Sequence, residues 1–132
     1  THLVLYQKDI VIMDMEAGIE HLGRGTASAV DAFIVVVEPG IRSIQTFKRI
    51  SKLAGDIGVK HVYAIGNKIR KPEDIDFLNE RIGAENIFGF LDYSDQISGS
   101  DRNNKSPYDV PETREKIAAL GEKIEATVKS NK

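Results

Sequence analysis

The side chains with the most chemistry to offer stand close together near the start of the chain. An apolar run, Ile10, Val11, Ile12 and Met13, ends in the carboxylate of Asp14, and Gly18 follows four residues later. A short apolar run bounded by turn residues reads as a buried strand. An acid at the carboxyl end of such a strand faces the crevice in which open α/β sheets take their ligands. There a carboxylate can serve the magnesium of a bound nucleotide, directly or through water, because Mg²⁺ prefers hard oxygen ligands and keeps several waters. Gly18 lets the backbone approach a terminal phosphate closely and offer its N–H. Strand, acid, three residues, glycine is the pattern of a Walker B strand running into a switch loop, here continued through Gly23 and Gly25 to Thr26. Taken alone, the same spacing equally suits an aspartate that caps a strand and a glycine that turns the chain.

Elements able to position such groups follow in order. Residues 26–30 suit a short helix or turn, and residues 32–37 form a continuous apolar, β-branched run. A run without polar alternation predicts a strand covered on both faces, as in a parallel sheet under helices. Glu38, Pro39 and Gly40 stop it. Ile41, Ile44, Phe47, Ile50, Ala54 and Ile57 recur at helical spacing with Arg42, Lys48, Arg49, Lys52 and Asp56 between them, an amphipathic helix ending near Gly58. Residues 60–65 are the next buried strand, terminated by Gly66, Asn67 and Lys68. Pro72 suits a first helical position, with Glu73, Asp74 and Asp76 at the positive end of the dipole. Ile75, Leu78 and Ile82 form that helix's buried stripe and Gly83 its stop; residues 87–91 are a further short strand. Residues 94–109 are polar and aperiodic, a loop. Pro111 opens a last helix with the stripe Ile117, Leu120, Ile124 and Val128. Strands alternating with amphipathic helices predict α/β, with a parallel sheet and right-handed crossovers. Residues 1–132 are expected to form one nucleotide-binding domain, itself partial.

Bulk composition narrows the function classes. With 132 residues, 41% of them hydrophobic, the chain can bury one core and scarcely two. A net charge of −2, from 18 basic and 20 acidic residues, gives no reason to expect nucleic acid or an anionic membrane surface as partner. No cysteine is present, so disulfides, thiolate metal sites and thiol nucleophiles are excluded within these residues. No apolar run approaches the roughly 20 residues that span a bilayer, and no signal peptide is seen; the expected location is cytoplasmic. The opening residues 1–8 lack an initiator Met and read like the last turns of a helix already under way, as if the sequence began within a domain.

Three segments carry a family resemblance: residues 14–26, then Val35, Val36, Val37, Glu38, Pro39 and Gly40 with Arg42 to Ile44, then Gly66, Asn67, Lys68 and Ile69. Together they resemble the carboxyl-terminal half of the CooC-type ATPases, nickel-insertion (maturation) factors of carbon monoxide dehydrogenase within the nitrogenase-iron-protein and MinD class of P-loop proteins. The resemblance spans essentially the whole chain, and residues 14–26 are its most family-specific part. It implies a P-loop NTPase-like parallel sheet, a deviant Walker A loop near the amino terminus of the whole protein, and ATP-driven dimerisation. It makes Asp14 the Walker B acid serving Mg and Gly18 the switch glycine. Asn67 becomes the asparagine that reads the adenine edge, with Lys68 beside it, and Asp95 a candidate in a second base-flanking loop.

Two departures qualify the resemblance. No glycine-rich, lysine-containing P-loop occurs in these residues, and the Cys-x-Cys pair through which the family binds a metal such as Ni or Zn is missing. Both belong upstream of residue 1. In this class the P-loop strand lies between the Asp14 strand and the Phe33–Val37 strand, so these residues alone would leave a gap in the sheet with unpaired backbone on either side. The expectation is a carboxyl-terminal half lacking the P-loop strand, an ATPase as the intact family member and inactive as this chain alone. Its expected partners are carbon monoxide dehydrogenase, a second copy, or its own missing amino-terminal half.

Other residues admit plainer roles. Glu16 could orient water or face a partner, or be a solvated switch residue; His21 is a lone loop histidine before it is a metal ligand; His2 and His61 read as surface or strand-edge residues. Glu38 could face a nucleotide or a dimer partner, though its place suits the start of a helix better. Tyr63, Phe47, Phe88 and Phe90 read as core. Two rival functions stay open. One is a partition-type or reductase relative of the same fold, and the other a nucleotide-free interaction module pairing through its open sheet.

Overall fold

The structure, a computed structural model, describes residues 10–13, 29–95, 106 and 110–130. Asp14 and Gly18, with Glu16, His2 and His21, lie outside the described residues.

Three strands, β1 (Phe33–Val37), β2 (Val62–Ile69) and β3 (Ile87–Asp92), form a parallel sheet in the order β1-β2-β3. The helices are α1 (Ile41–Ile57), α2 (Pro72–Ile82) and α3 (Pro111–Ser130), with a 3₁₀ turn at Ala84–Asn86. Successive parallel strands joined through α1 and α2 make the expected α/β arrangement. No helix among the described residues is long and apolar enough to cross a membrane.

Helix boundaries follow local chemistry. At the start of α1, the backbone N–H of Glu38 donates to Ser43 Oγ at 3.1 Å. The helix ends where Gly58 takes φ 94°, a left-handed conformation that glycine adopts without a Cβ clash, and its N–H donates back to the last turn. Pro72 opens α2, and the Asp74 carboxylate accepts from the N–H groups of Arg70 (2.9 Å) and Lys71 (3.2 Å). Two backbone donors before the helix are thereby satisfied by one acid in its first turn.

The core lies on one face of the sheet. Phe33, Val35 and Val37 of β1 point there, joined by Ala64 and Ile69 of β2 and Ile87 of β3. Against them pack Ile44, Phe47 and Ala54 of α1 and Leu78 and Ile82 of α2. Leu78 has no exposed surface at all. On the opposite face α3 covers β3, where Leu120 packs over Gly89 and the Lys123 ammonium donates to the Phe88 carbonyl at 2.9 Å. An aromatic row runs beneath it: His61 stacks on Tyr63 with ring centres 6.1 Å apart, and Tyr63 meets Phe88 at 4.6 Å.

Three expectations need correction. First, β1 is not covered on both faces within the described residues. It alternates, and on its second face Ile34 and Val36 are exposed, Val36 by 61%. The apolar run fits a strand buried twice, yet nothing among the described residues caps that face. Second, Ile10 to Met13 belong to no strand, and Ile12 is 82% exposed. Third, β2 does not stop before Gly66 but runs through Gly66, Asn67 and Lys68 to Ile69. It does so by a register shift: Gly66 is opposite Phe90 and Ile69 opposite Asp92, so β2 carries one residue more than β3 over that interval.

Candidate functional site

That extra residue makes a β-bulge at the carboxyl end of the sheet, the end at which open α/β folds take ligands. Its conformation is unusual. Lys68 has φ 56° and is the only non-glycine residue with positive φ among those described. Lysine has no short polar side chain to bond locally and offset the left-handed clash, so the turn is held by its surroundings.

Those surroundings are specific. Before the bulge, Gly66 is wedged beneath the sheet's helical layer: a Cβ there would meet Phe90 Cδ1 at 2.5 Å and Leu78 Cδ1 at 2.9 Å. Beyond it, the ladder resumes with Tyr93 N–H donating to the Ile69 carbonyl at 2.8 Å. To the side, Lys68 Nζ lies 2.7 Å from Glu38 Oε1, and each side chain of the pair is about half exposed (55% and 52%). Val37 is opposite Gly66 in the ladder, so Glu38 and Asn67 each follow a matched pair at the ends of neighbouring strands.

Asn67 is half-buried, and its side-chain amide bonds to no residue among those described. An amide has two donors and an acceptor, a set that suits the edge of a planar ligand bearing both kinds of group. Past the bulge, the Arg70 guanidinium lies over the Tyr93 ring, 3.8 Å from its centre, a charged plate resting on an aromatic one. Tyr93 also lines a shallow crevice of about 100 Å³ between the end of β3 and the start of α3, with Asp92, Ser94, Val110, Glu112 and Lys116. The Lys116 ammonium pairs with the Asp92 carboxylate there, tying α3 to the end of β3.

Of the residues singled out from sequence, Asn67 and Lys68 are adjacent in the bulge and share it with Glu38. Asp95 is exposed, just beyond β3 at the same end of the sheet, with no contact that joins it to Asn67. Sequence reasoning missed Arg70 and Tyr93. Each stands directly past the carboxyl end of a parallel strand, and that position was the available signal. Among the described residues no group of three or more histidine, aspartate or glutamate side chains converges. They offer no cluster that could seat nickel or zinc.

No protein-family model matches the chain. It is similar, at 42% identity over 120 residues, to the carbon monoxide dehydrogenase accessory protein CooC of Rhodospirillum rubrum, a match covering 90% of this chain and 46% of that protein. It is similar at 42% identity to an uncharacterized ATP-binding protein of Methanocaldococcus jannaschii, over 76% of this chain and 40% of the relative. A second uncharacterized ATP-binding protein of that organism is 37% identical over 88% of this chain and 48% of its own length. The chain spans about half the length, or less, of the curated relatives it matches.

Proposed function

We propose that this CooC-like chain is the carboxyl-terminal half of an ATP-binding and ATP-hydrolysing accessory factor for nickel insertion into carbon monoxide dehydrogenase, working in the cytoplasm. The observation that carries the reading is the Asn67–Lys68 bulge. It is a conformationally costly turn at the carboxyl end of a parallel sheet, beside an amide that bonds to no residue among those described, in a chain similar to proteins named as ATP-binding. Strained backbone of this kind collects at binding sites because the surrounding structure must hold it ready for a ligand.

In this reading Asn67 reads the adenine edge with Lys68 beside it, and Asp95 approaches from the loop after β3. Asp14 serves Mg and Gly18 senses the terminal phosphate. Phosphoryl transfer to water requires mainly positioning and charge neutralisation around that phosphate. The P-loop and the metal-binding cysteines come from the amino-terminal half, which also supplies the strand that pairs with the open side of β1. ATP binding then closes a homodimer. This chain alone turns over no ATP.

A second reading has its own support. The bare face of β1, with Ile34 and Val36 exposed, also suits a nucleotide-free module that pairs with a partner polypeptide. Equilibrium binding of Mg-ATP to the full-length protein separates the two. The ATPase reading expects micromolar-range binding, lost in Asn67→Ala, and turnover lost in Asp14→Asn with nucleotide still bound. Full-length protein that binds carbon monoxide dehydrogenase but no nucleotide would establish the interaction module instead.

A further inference from the structure

We propose that Glu38 is a positioning residue for the nucleotide base: through Lys68 it fixes the left-handed turn that presents the Asn67 amide. The proposal rests on the nucleotide reading above and extends it to a residue that would act through Lys68 rather than by its own contact with the ligand.

The bulge is pinned at both ends by backbone and packing. Gly66 is locked beneath Phe90 and Leu78, and Ile69 is locked by the Tyr93 N–H. Between them, the one side-chain tie described for Asn67 and Lys68 is the 2.7 Å ion pair from Lys68 Nζ to Glu38 Oε1. Glu38 is well placed to be the fixed partner. It continues β1 directly, and its own N–H is bonded to Ser43 Oγ in the first turn of α1. An ion pair between two half-exposed side chains contributes little to stability. What it can do is directional, because a left-handed lysine gains only if something holds it there. Without Glu38 the bulge stays pinned at both ends, but Lys68 spends a larger share of its time away from the left-handed conformation. The preceding peptide then rotates, and the Asn67 side chain leaves the direction in which it would meet a base edge.

The test measures Mg-ATP and Mg-GTP affinity and turnover in the full-length protein carrying Glu38→Gln, Lys68→Asn, and both together. The expected result for Glu38→Gln is a loss of ATP affinity of about two- to fivefold, bounded by what an exposed ion pair can contribute. The preference for ATP over GTP should narrow with it, while kcat at saturation stays within about twofold, because the γ-phosphate machinery is untouched. Asparagine adopts the left-handed region far more readily than lysine, so the double variant should recover most of the base preference although the ion pair is gone. A purely structural ion pair would leave the ATP-to-GTP ratio unmoved, and a direct ligand contact by Glu38 would not be rescued by Lys68→Asn; either result overturns the proposal. Wild-type protein that binds neither nucleotide overturns the reading beneath it, and that failure is recognisable because it precedes any substitution.

Discussion

Glu38 at the end of β1 and Lys68 at the end of β2 are joined by an ion pair of 2.7 Å, and Lys68 holds a left-handed backbone conformation while making it. Two strands that are merely neighbours in a sheet are thus also linked by side chains at their carboxyl ends. The link and the turn carry different energetic weights. The exposed pair is worth between zero and about 1 kcal/mol and is screened by salt. The left-handed turn costs a non-glycine residue about 1–2 kcal/mol.

Stability should follow the turn rather than the charge. Lys68→Val puts a β-branched side chain at positive φ and should lower unfolding free energy by about 1–2 kcal/mol. Lys68→Gly removes the steric cost and adds a comparable loss of chain entropy, so it should stay within about 1 kcal/mol of the parent. Glu38→Gln should cost less than about 1 kcal/mol, and that difference should shrink in 1 M salt. Urea denaturation of the three variants at low and high salt checks the order. A Glu38→Gln variant less stable than Lys68→Val would mean that the charge, not the backbone, governs this end of the sheet.

Glycine positions separate two kinds of close approach. A Cβ on Gly66 would lie 2.5 Å from Phe90 and 2.9 Å from Leu78, the latter fully buried between helix and sheet. Leu78 is enclosed, and both contacts are under 3 Å, so Gly66→Ala should destabilise by about 1–3 kcal/mol. A Cβ on Gly89 would lie 2.7 Å from Leu120 Cδ2, the tip of a half-buried side chain on α3. That tip can rotate away, and Gly89→Ala should cost under about 1 kcal/mol. Thermal melts of both variants test the contrast, and equal losses would refute it.

Much of this fold is legible in the sequence where one residue decides one feature. Pro72 and Asp74 mark the start of α2, Gly58 closes α1, and the spacing of Ile44, Phe47 and Ala54 locates the buried side of α1. These are local effects of capping, φ and periodicity. The bulge is not local. Gly66, Asn67 and Lys68 look like a strand's end because glycine and asparagine punctuate chains, whereas the ladder continues because Ile69 and Tyr93 re-engage across β3. Nothing in lysine's own preferences announces positive φ. The same limit applies to β1: Val36 is apolar, but whether it is covered depends on what packs over it, which a strand's own residues do not encode.

The plate formed by Arg70 and Tyr93 makes a third prediction. An exposed cation–π contact contributes about 0.5–1 kcal/mol, and Tyr93 additionally lines the crevice beside Lys116. Tyr93→Phe keeps the ring and should leave both stability and nucleotide affinity within about twofold of the parent. Tyr93→Ala removes the ring beneath Arg70 and should weaken nucleotide affinity in the full-length protein by about three- to tenfold if a base stacks near this plate. Titration calorimetry of the two variants distinguishes a ring effect from a hydroxyl effect, and losses of equal size would assign the role to the hydroxyl.

The bare face of β1 gives the last prediction, one that depends on which polypeptide is measured. Leu78, fully buried, should cost about 2–5 kcal/mol when cut to alanine in any context, because the cavity forms inside the core. Val36 is 61% exposed and Ile34 38% exposed, so in this chain alone Val36→Ala should change stability by no more than about 0.5 kcal/mol. If the amino-terminal half supplies the next strand and its covering helix, Val36 becomes a core residue in the full-length protein. The same substitution should then cost about 1 kcal/mol or more there, since burial and cavity terms both enter. Parallel urea titrations of the chain and of the full-length protein, each with Val36→Ala and Leu78→Ala, read this directly. Val36→Ala that is neutral in both would leave that face open to solvent in the whole protein, and would favour the reading in which a separate partner binds there.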